Sequence, residues 1–108
     1  MAFKTKALRY LGAISGRGVV KQNGETIAPA KFDLDGYYRA PVGVTGSGEI
    51  QLPREVLKRL FGRTDLQLLT DQGLLLALRF SDSTLPPASD VAHVDVAGHS
   101  PIAAGDWR

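Results

Sequence analysis

His93, Asp95 and His99, together with Asp90, gather imidazole and carboxylate donors into one short stretch of the chain, and a divalent ion takes such donors as ligands. On a strand, His93 and Asp95 would share a face. The spacing argues against zinc all the same. Five residues separate the two histidines, which is not the short helical spacing of zinc motifs, and the chain holds no third histidine. No metal site is expected, and these groups read as exposed polar residues near the chain end.

Asp33 and Asp35 stand two apart, so on a strand both carboxylates face the same way, as paired acid and base groups or cation ligands do. The run Asp33-Leu34-Asp35-Gly36 also opens like a calcium loop, but the twelfth position, which must supply a side-chain oxygen, is Val44. The expectation is that Asp35 joins Gly36 in a turn and that Asp33 sits on a solvated face. Residues 43–48, Gly-Val-Thr-Gly-Ser-Gly, could cradle a phosphate through backbone N–H groups. A phosphate loop continues into Lys and Ser or Thr at a helix start, whereas Glu49 follows here and would repel the anion. Close strand packing or a bulge accounts better for these glycines. Ser47 lies in half of a nucleophile-elbow pattern without the helix that pattern needs. Nucleophilic catalysis has no constellation to support it, so no catalytic residue and no cofactor is expected.

The clearest charged surface is Arg54, Lys58, Arg59 and Arg63, carried on and just after one short helix. Such a face is the candidate binding site, and its partner would be a protein or another anionic species; a phosphate backbone could also lie along it. Tyr10, Phe32, Tyr37 and Tyr38 could stack on bases but are scattered over the early part of the chain without a recognisable motif. Charge is also uneven along the sequence: residues 1–63 hold 11 Lys and Arg against 5 acids, and residues 64–108 hold 2 against 6. The halves should attract each other, and a basic face for an anionic partner can result.

The elements that must position these groups are mostly strands. Residues 7–14 alternate with period two, and Gly16 and Gly18 break or bulge the run. Asn23-Gly24 is the strongest hairpin signal, because both residues tolerate the positive φ angles of a type I′ turn. A second hairpin turn is expected at Asp35-Gly36, with 37–44 running back as an edge strand because Pro41 cannot donate to a ladder. Residues 45–48 read as a flexible crossing. Pro53 opens a helix, with Val56, Leu57, Leu60 and Phe61 on one face, and Gly62 ends it. The leucine runs at 66–70 and 74–80 flank Asp71-Gln72-Gly73 and predict a hairpin buried on both faces. Residues 81–90, with Pro86-Pro87, should be an irregular surface connection, and 91–96 a last short strand.

The 108 residues suit one core, and 44% hydrophobic with 22% charged is an ordinary globular composition. With no cysteine there is no disulfide framework and no thiolate site, which fits a reducing compartment. Charges interrupt every apolar run near the N-terminus, so no signal peptide or membrane span is expected, and the expected setting is cytoplasmic. The fold class is therefore α+β to mainly β. It is a small antiparallel β-barrel or curved sheet, with hairpins at 19–27 and 66–80 and one short helix at about 53–61. Its core should come from Leu52, Val56, Leu57, Leu60, Phe61, Leu66, Leu68, Leu75 and Leu78, packed on Phe32, Leu34 and Ile14. Residues 1–96 form one domain in this reading, and 97–108 a tail that frays unless Ile102 or Trp107 docks.

Residues 44–80 resemble the swapped-hairpin domain of AbrB-like transition-state regulators. The resemblance is carried by Thr45-Gly46-Ser47-Gly48-Glu49-Ile50-Gln51-Leu52-Pro53-Arg54-Glu55-Val56, then Leu60, then 66–69 and 74–78. It implies a homodimer that interlocks strands and binds DNA through basic residues around the first strand. Glu49 and Gln51 occupy that strand here, and no Lys or Arg lies between Val42 and Pro53, so DNA contact would fall to Arg39, Arg54 or Lys58. The first forty residues have no counterpart in that domain. Three functions follow as expectations: a non-catalytic binding module using Arg54, Lys58, Arg59 and Arg63, a dimeric DNA-binding regulator, or a small-ligand barrel or minor enzyme.

Overall fold

Asn23 (φ 52°) and Gly24 (φ 85°) both take left-handed backbone angles and close a tight turn between β1 (Arg9–Gln22) and β2 (Glu25–Arg39). The chain continues as β3 (Gly43–Gln51), α1 (Arg54–Leu60), β4 (Leu66–Thr70), β5 (Leu75–Phe80) and β6 (Val91–Gly98). This computed structural model describes residues 9–39, 43–86, 88–98 and 107. Among them, six strands close a barrel in the order β1-β2-β3-β6-β5-β4, every neighbour antiparallel. No helix among the described residues is long and apolar enough to cross a membrane.

The hairpins expected at 19–27 and 66–80 are both present, and the helix spans 54–60. Pro53 is the residue that caps α1 rather than its first member, with its carbonyl accepting the Leu57 N–H at 2.9 Å. Gly62 (φ 86°) ends the helix, and the Arg63 N–H turns back to the Leu60 carbonyl at 3.0 Å. The 66–80 hairpin is closed by Thr70, whose buried hydroxyl accepts the Leu74 N–H at 3.0 Å.

The core follows from alternation. Val20, Phe32, Leu34, Ile50, Leu66, Leu68, Leu76, Leu78, Val94 and Val96 point inward, and Leu52, Leu57 and Leu60 join them. Burying a leucine such as Leu57 contributes about 1.5–3 kcal/mol. Val56 and Ile14 are half-buried and pack against that cluster, and the half-buried Phe61 meets it through Phe80.

Four expectations are corrected. Asp35-Gly36 is not a turn: β2 runs through it, with Asp35 opposite Ala13 and Ser47 and Gly36 opposite Gly12 and Gly46. Residues 45–48 are not a flexible crossing but the body of β3, which already starts at Gly43; Pro41, on which the edge-strand expectation rested, lies outside the described residues. Gly16 and Gly18 do not break β1, whose register shifts fall between Tyr10 and Gly12 and between Val20 and Lys21. The leucine hairpin is buried on one face only. A barrel wall has one inside, so Leu76 and not Leu75 enters the core, and Leu69 and Leu75 pair half-buried on the outside. At the chain end Trp107 docks and is fully buried, whereas Ile102 lies outside the described residues.

Candidate functional site

The helix and the connection after β5 meet along one side of the barrel. Phe61, at the end of α1, packs on Phe80, the last residue of β5, with ring centroids 5.0 Å apart and planes at 47°. The connection that starts there is tied to the barrel at both ends. Its Ser81 N–H donates to the His93 carbonyl at 3.0 Å, and Asp82 lies 3.2 Å from His93 Nδ1. Further on, the Asp90 carbonyl accepts the Leu52 N–H, and the Asp90 carboxylate accepts the Gln51 side-chain amide, both at 3.0 Å. Between these ties, a turn closes with the Ser89 N–H on the Pro86 carbonyl at 3.2 Å, and Ala88 inside it takes φ 73°. Such an angle strains an alanine, by about 1 kcal/mol or more, and persists where surrounding contacts fix it.

A groove of about 440 Å³ opens between the two segments. Arg54, Glu55, Lys58 and Phe61 line its helix side. Leu85, Pro86, Ala88 and Ser89 line the other. Arg54 and Lys58 lie one helical turn apart, a like-charged spacing that costs an isolated helix about 0.2–0.5 kcal/mol. The acids nearest in sequence on the facing connection are already engaged, Asp82 with His93 and Asp90 with Gln51, and neither lines the groove. An anion entering between Arg54 and Lys58 would relieve their repulsion.

A second hollow, of about 330 Å³, lies on the other side of the Leu52–Pro53 junction. Here the barrel register adds two cations that the sequence did not single out. Arg17 pairs with Lys31 across β1 and β2, Lys31 pairs with Gln51, and both cations line the hollow with Pro29, Leu52, Pro53 and Asp90. Each hollow thus carries two cations, Arg17 and Lys31 in the one that Pro53 lines and Arg54 and Lys58 in the groove that starts at the next residue, and together they make up a cationic band beside Pro53.

The two other expected contact residues stand apart from this band. Arg59 is exposed on α1 and does not line the groove. Arg63 is held by Asp65, with its Nε and one terminal nitrogen donating at 3.1 and 3.2 Å, and the Gln22 side chain donates to the same carboxylate at 3.0 Å. The Arg63 hydrogen bonds, then that of Gln22, lower the Asp65 pKa to about 2, and Asp65 in turn raises that of Arg63. Asp65 thus ties the segment after α1 to the end of β1 through Gln22, and Arg63 is engaged locally with the same carboxylate.

The remaining candidates sit on the outer wall. Asp33 and Asp35 share the outward face of β2, as their spacing requires, and Asp35 accepts the Tyr10 hydroxyl at 2.7 Å. Asp33 stands opposite Glu49, which stands opposite His93, and His93 Nε2 lies 3.3 Å from the Glu49 carboxylate. The neighbours of His93 are thus Glu49 and Asp82, brought from other segments, rather than Asp90. His99 lies outside the described residues, and among the described ones no group of three His, Asp or Glu could hold a metal ion. Comparison of the chain with protein families, curated proteins and solved structures finds no match.

Proposed function

We propose that this protein is a non-catalytic binding module, and that its contact surface is the cationic band of Arg17, Lys31, Arg54 and Lys58 along the two hollows beside Pro53. The partner is an acidic, partly apolar segment of another protein. The observation that carries this reading is the composition of the groove: two cations one turn apart, over a floor of Phe61, Leu85 and Pro86, with Glu55 as its lining acid. Its volume lies within the range that holds a few side chains or a small ligand. A protein segment fits better than single-stranded nucleic acid because the tilted ring pair Tyr10 and Tyr37, with centroids 5.4 Å apart, lines neither hollow.

Isotope-labelled protein titrated with a capped pentapeptide of two glutamates, leucine, phenylalanine and aspartate tests this. Amide shifts should concentrate at the non-proline residues of 52–61 and 85–90 and at 17 and 31, and should weaken as salt screens the charges. Shifts spread over the whole barrel, or none at millimolar peptide, would reject the surface. A stable dimer that binds duplex DNA, and ignores the peptide, would favour the swapped-hairpin regulator instead.

A further inference from the structure

The barrel is unusually bare at one level of its inner wall. Gly12 of β1 pairs with Gly36 of β2, which pairs with Gly46 of β3, and Val96 of β6 follows. Three adjacent strands therefore present backbone alone, and the indole of Trp107 fills the space. A Cβ placed on Gly36 would overlap the shared edge of the indole rings, and one on Gly46 would come within 3.0 Å of Cη2 at the far end of the ring. The ring thus lies across β2 and β3. Its Nε1–H donates to the Gly12 carbonyl at 2.9 Å. Gly12 takes φ 107° beside a register shift, where β1 carries one residue more than β2, and this irregularity turns its carbonyl toward the ring.

We propose that this glycine-floored slot is a binding site for a planar bicyclic aromatic with an N–H donor, and that Trp107 is its tethered, exchangeable occupant. Shape and polarity both specify the ligand. The floor accepts a flat ring because a side chain there would collide with it, and the Gly12 carbonyl offers an acceptor that an N–H on the ring edge matches. The occupant, Trp107, lies nine positions beyond Gly98, the last residue of β6. A ring held by one hydrogen bond and by packing can be replaced by a free ring of the same shape. The site is independent of the cationic band beside Pro53, and one can fail without the other.

The test uses the full chain carrying Trp107→Gly, with indole as the probe. Trp107 is the single tryptophan, so the variant has no tryptophan emission, and added indole excited beyond the tyrosine absorption band reports its own surroundings. Indole emission should shift to shorter wavelength on binding, and indole should raise the thermal midpoint of the variant. The analogue 1-methylindole, which lacks the donor, should bind about tenfold more weakly. Adding Gly36→Ala to Trp107→Gly should abolish both effects. A folded variant that takes up no indole, or that takes it up equally with Gly36→Ala, overturns the proposal. If Trp107→Gly does not fold alone, refolding with indole must restore its circular dichroism, and failure to do so is equally decisive. Exchange is tested in the unmutated chain labelled with 5-fluorotryptophan. Excess indole should move the single fluorine resonance to the solvent-exposed position, and an unmoved resonance at saturating indole shows that Trp107 is fixed core.

Discussion

Phe61 and Phe80 hold the helix and the barrel wall together, ring on ring at 5.0 Å, and so set the distance between Lys58 and the 85–89 turn. Without that contact the groove would have no fixed width. Phe80→Ala should cost about 2 kcal/mol in urea unfolding, since both rings are only half-buried. It should also weaken binding of the acidic pentapeptide more than its loss of stability explains. Unchanged peptide affinity in folded Phe80→Ala would detach the groove from this aromatic pair.

Leu57 is the helix residue with no exposed surface. Leu57→Ala should destabilise the fold by about 2–5 kcal/mol, whereas Arg59→Ala, two residues on and exposed, should change it by less than about 0.5 kcal/mol. Equal losses would mean that α1 does not bury the face described.

Asp65 gives stability a defined pH signature. Its folded pKa, about 2, lies below its ordinary value of 3.8, so folding favours the charged form. The contribution is complete above about pH 4 and disappears as the pH falls through about 2. Asp65→Asn should therefore unfold at lower urea than the unmutated protein at pH 7, and the two midpoints should converge toward pH 2. High salt should shrink the gap, because the Arg63 pair is open to solvent. A gap that stays constant from pH 7 to pH 2 would place its origin elsewhere.

The buried Trp107 ring fills the space over Gly36 and Gly46. Trp107→Ala should cost about 3–5 kcal/mol, with a cavity left over Gly36 and Gly46. Emission of the native protein should be that of a buried indole and should move to longer wavelength on unfolding. A solvent-like spectrum in the native state would contradict the docking of this residue.

What the sequence made legible was local. Asn23-Gly24 carries its own backbone requirement, and Pro53 with the spacing of Leu57 and Leu60 marks a helix whatever surrounds it. Gly36 was misread because a glycine after an aspartate signals a turn, and nothing nearby shows that its missing side chain makes room for a ring 71 positions later. Leu75 and Leu76 could not be told apart because a continuous leucine run has no period, and only closure of the barrel decides which one faces in. The helix cations were visible, but Arg17 and Lys31 join them only through strand register, which periodicity does not encode.

Calorimetric titration of the acidic pentapeptide into three proteins tests the cationic band most directly: the unmutated chain, Arg54→Glu/Lys58→Glu, and Arg59→Glu. Reversing the two groove cations should weaken binding by about tenfold or more, and reversing the exposed neighbour should change it by less than about twofold. Equal losses in both variants would show that only general charge matters, and would contradict a defined groove beside Pro53.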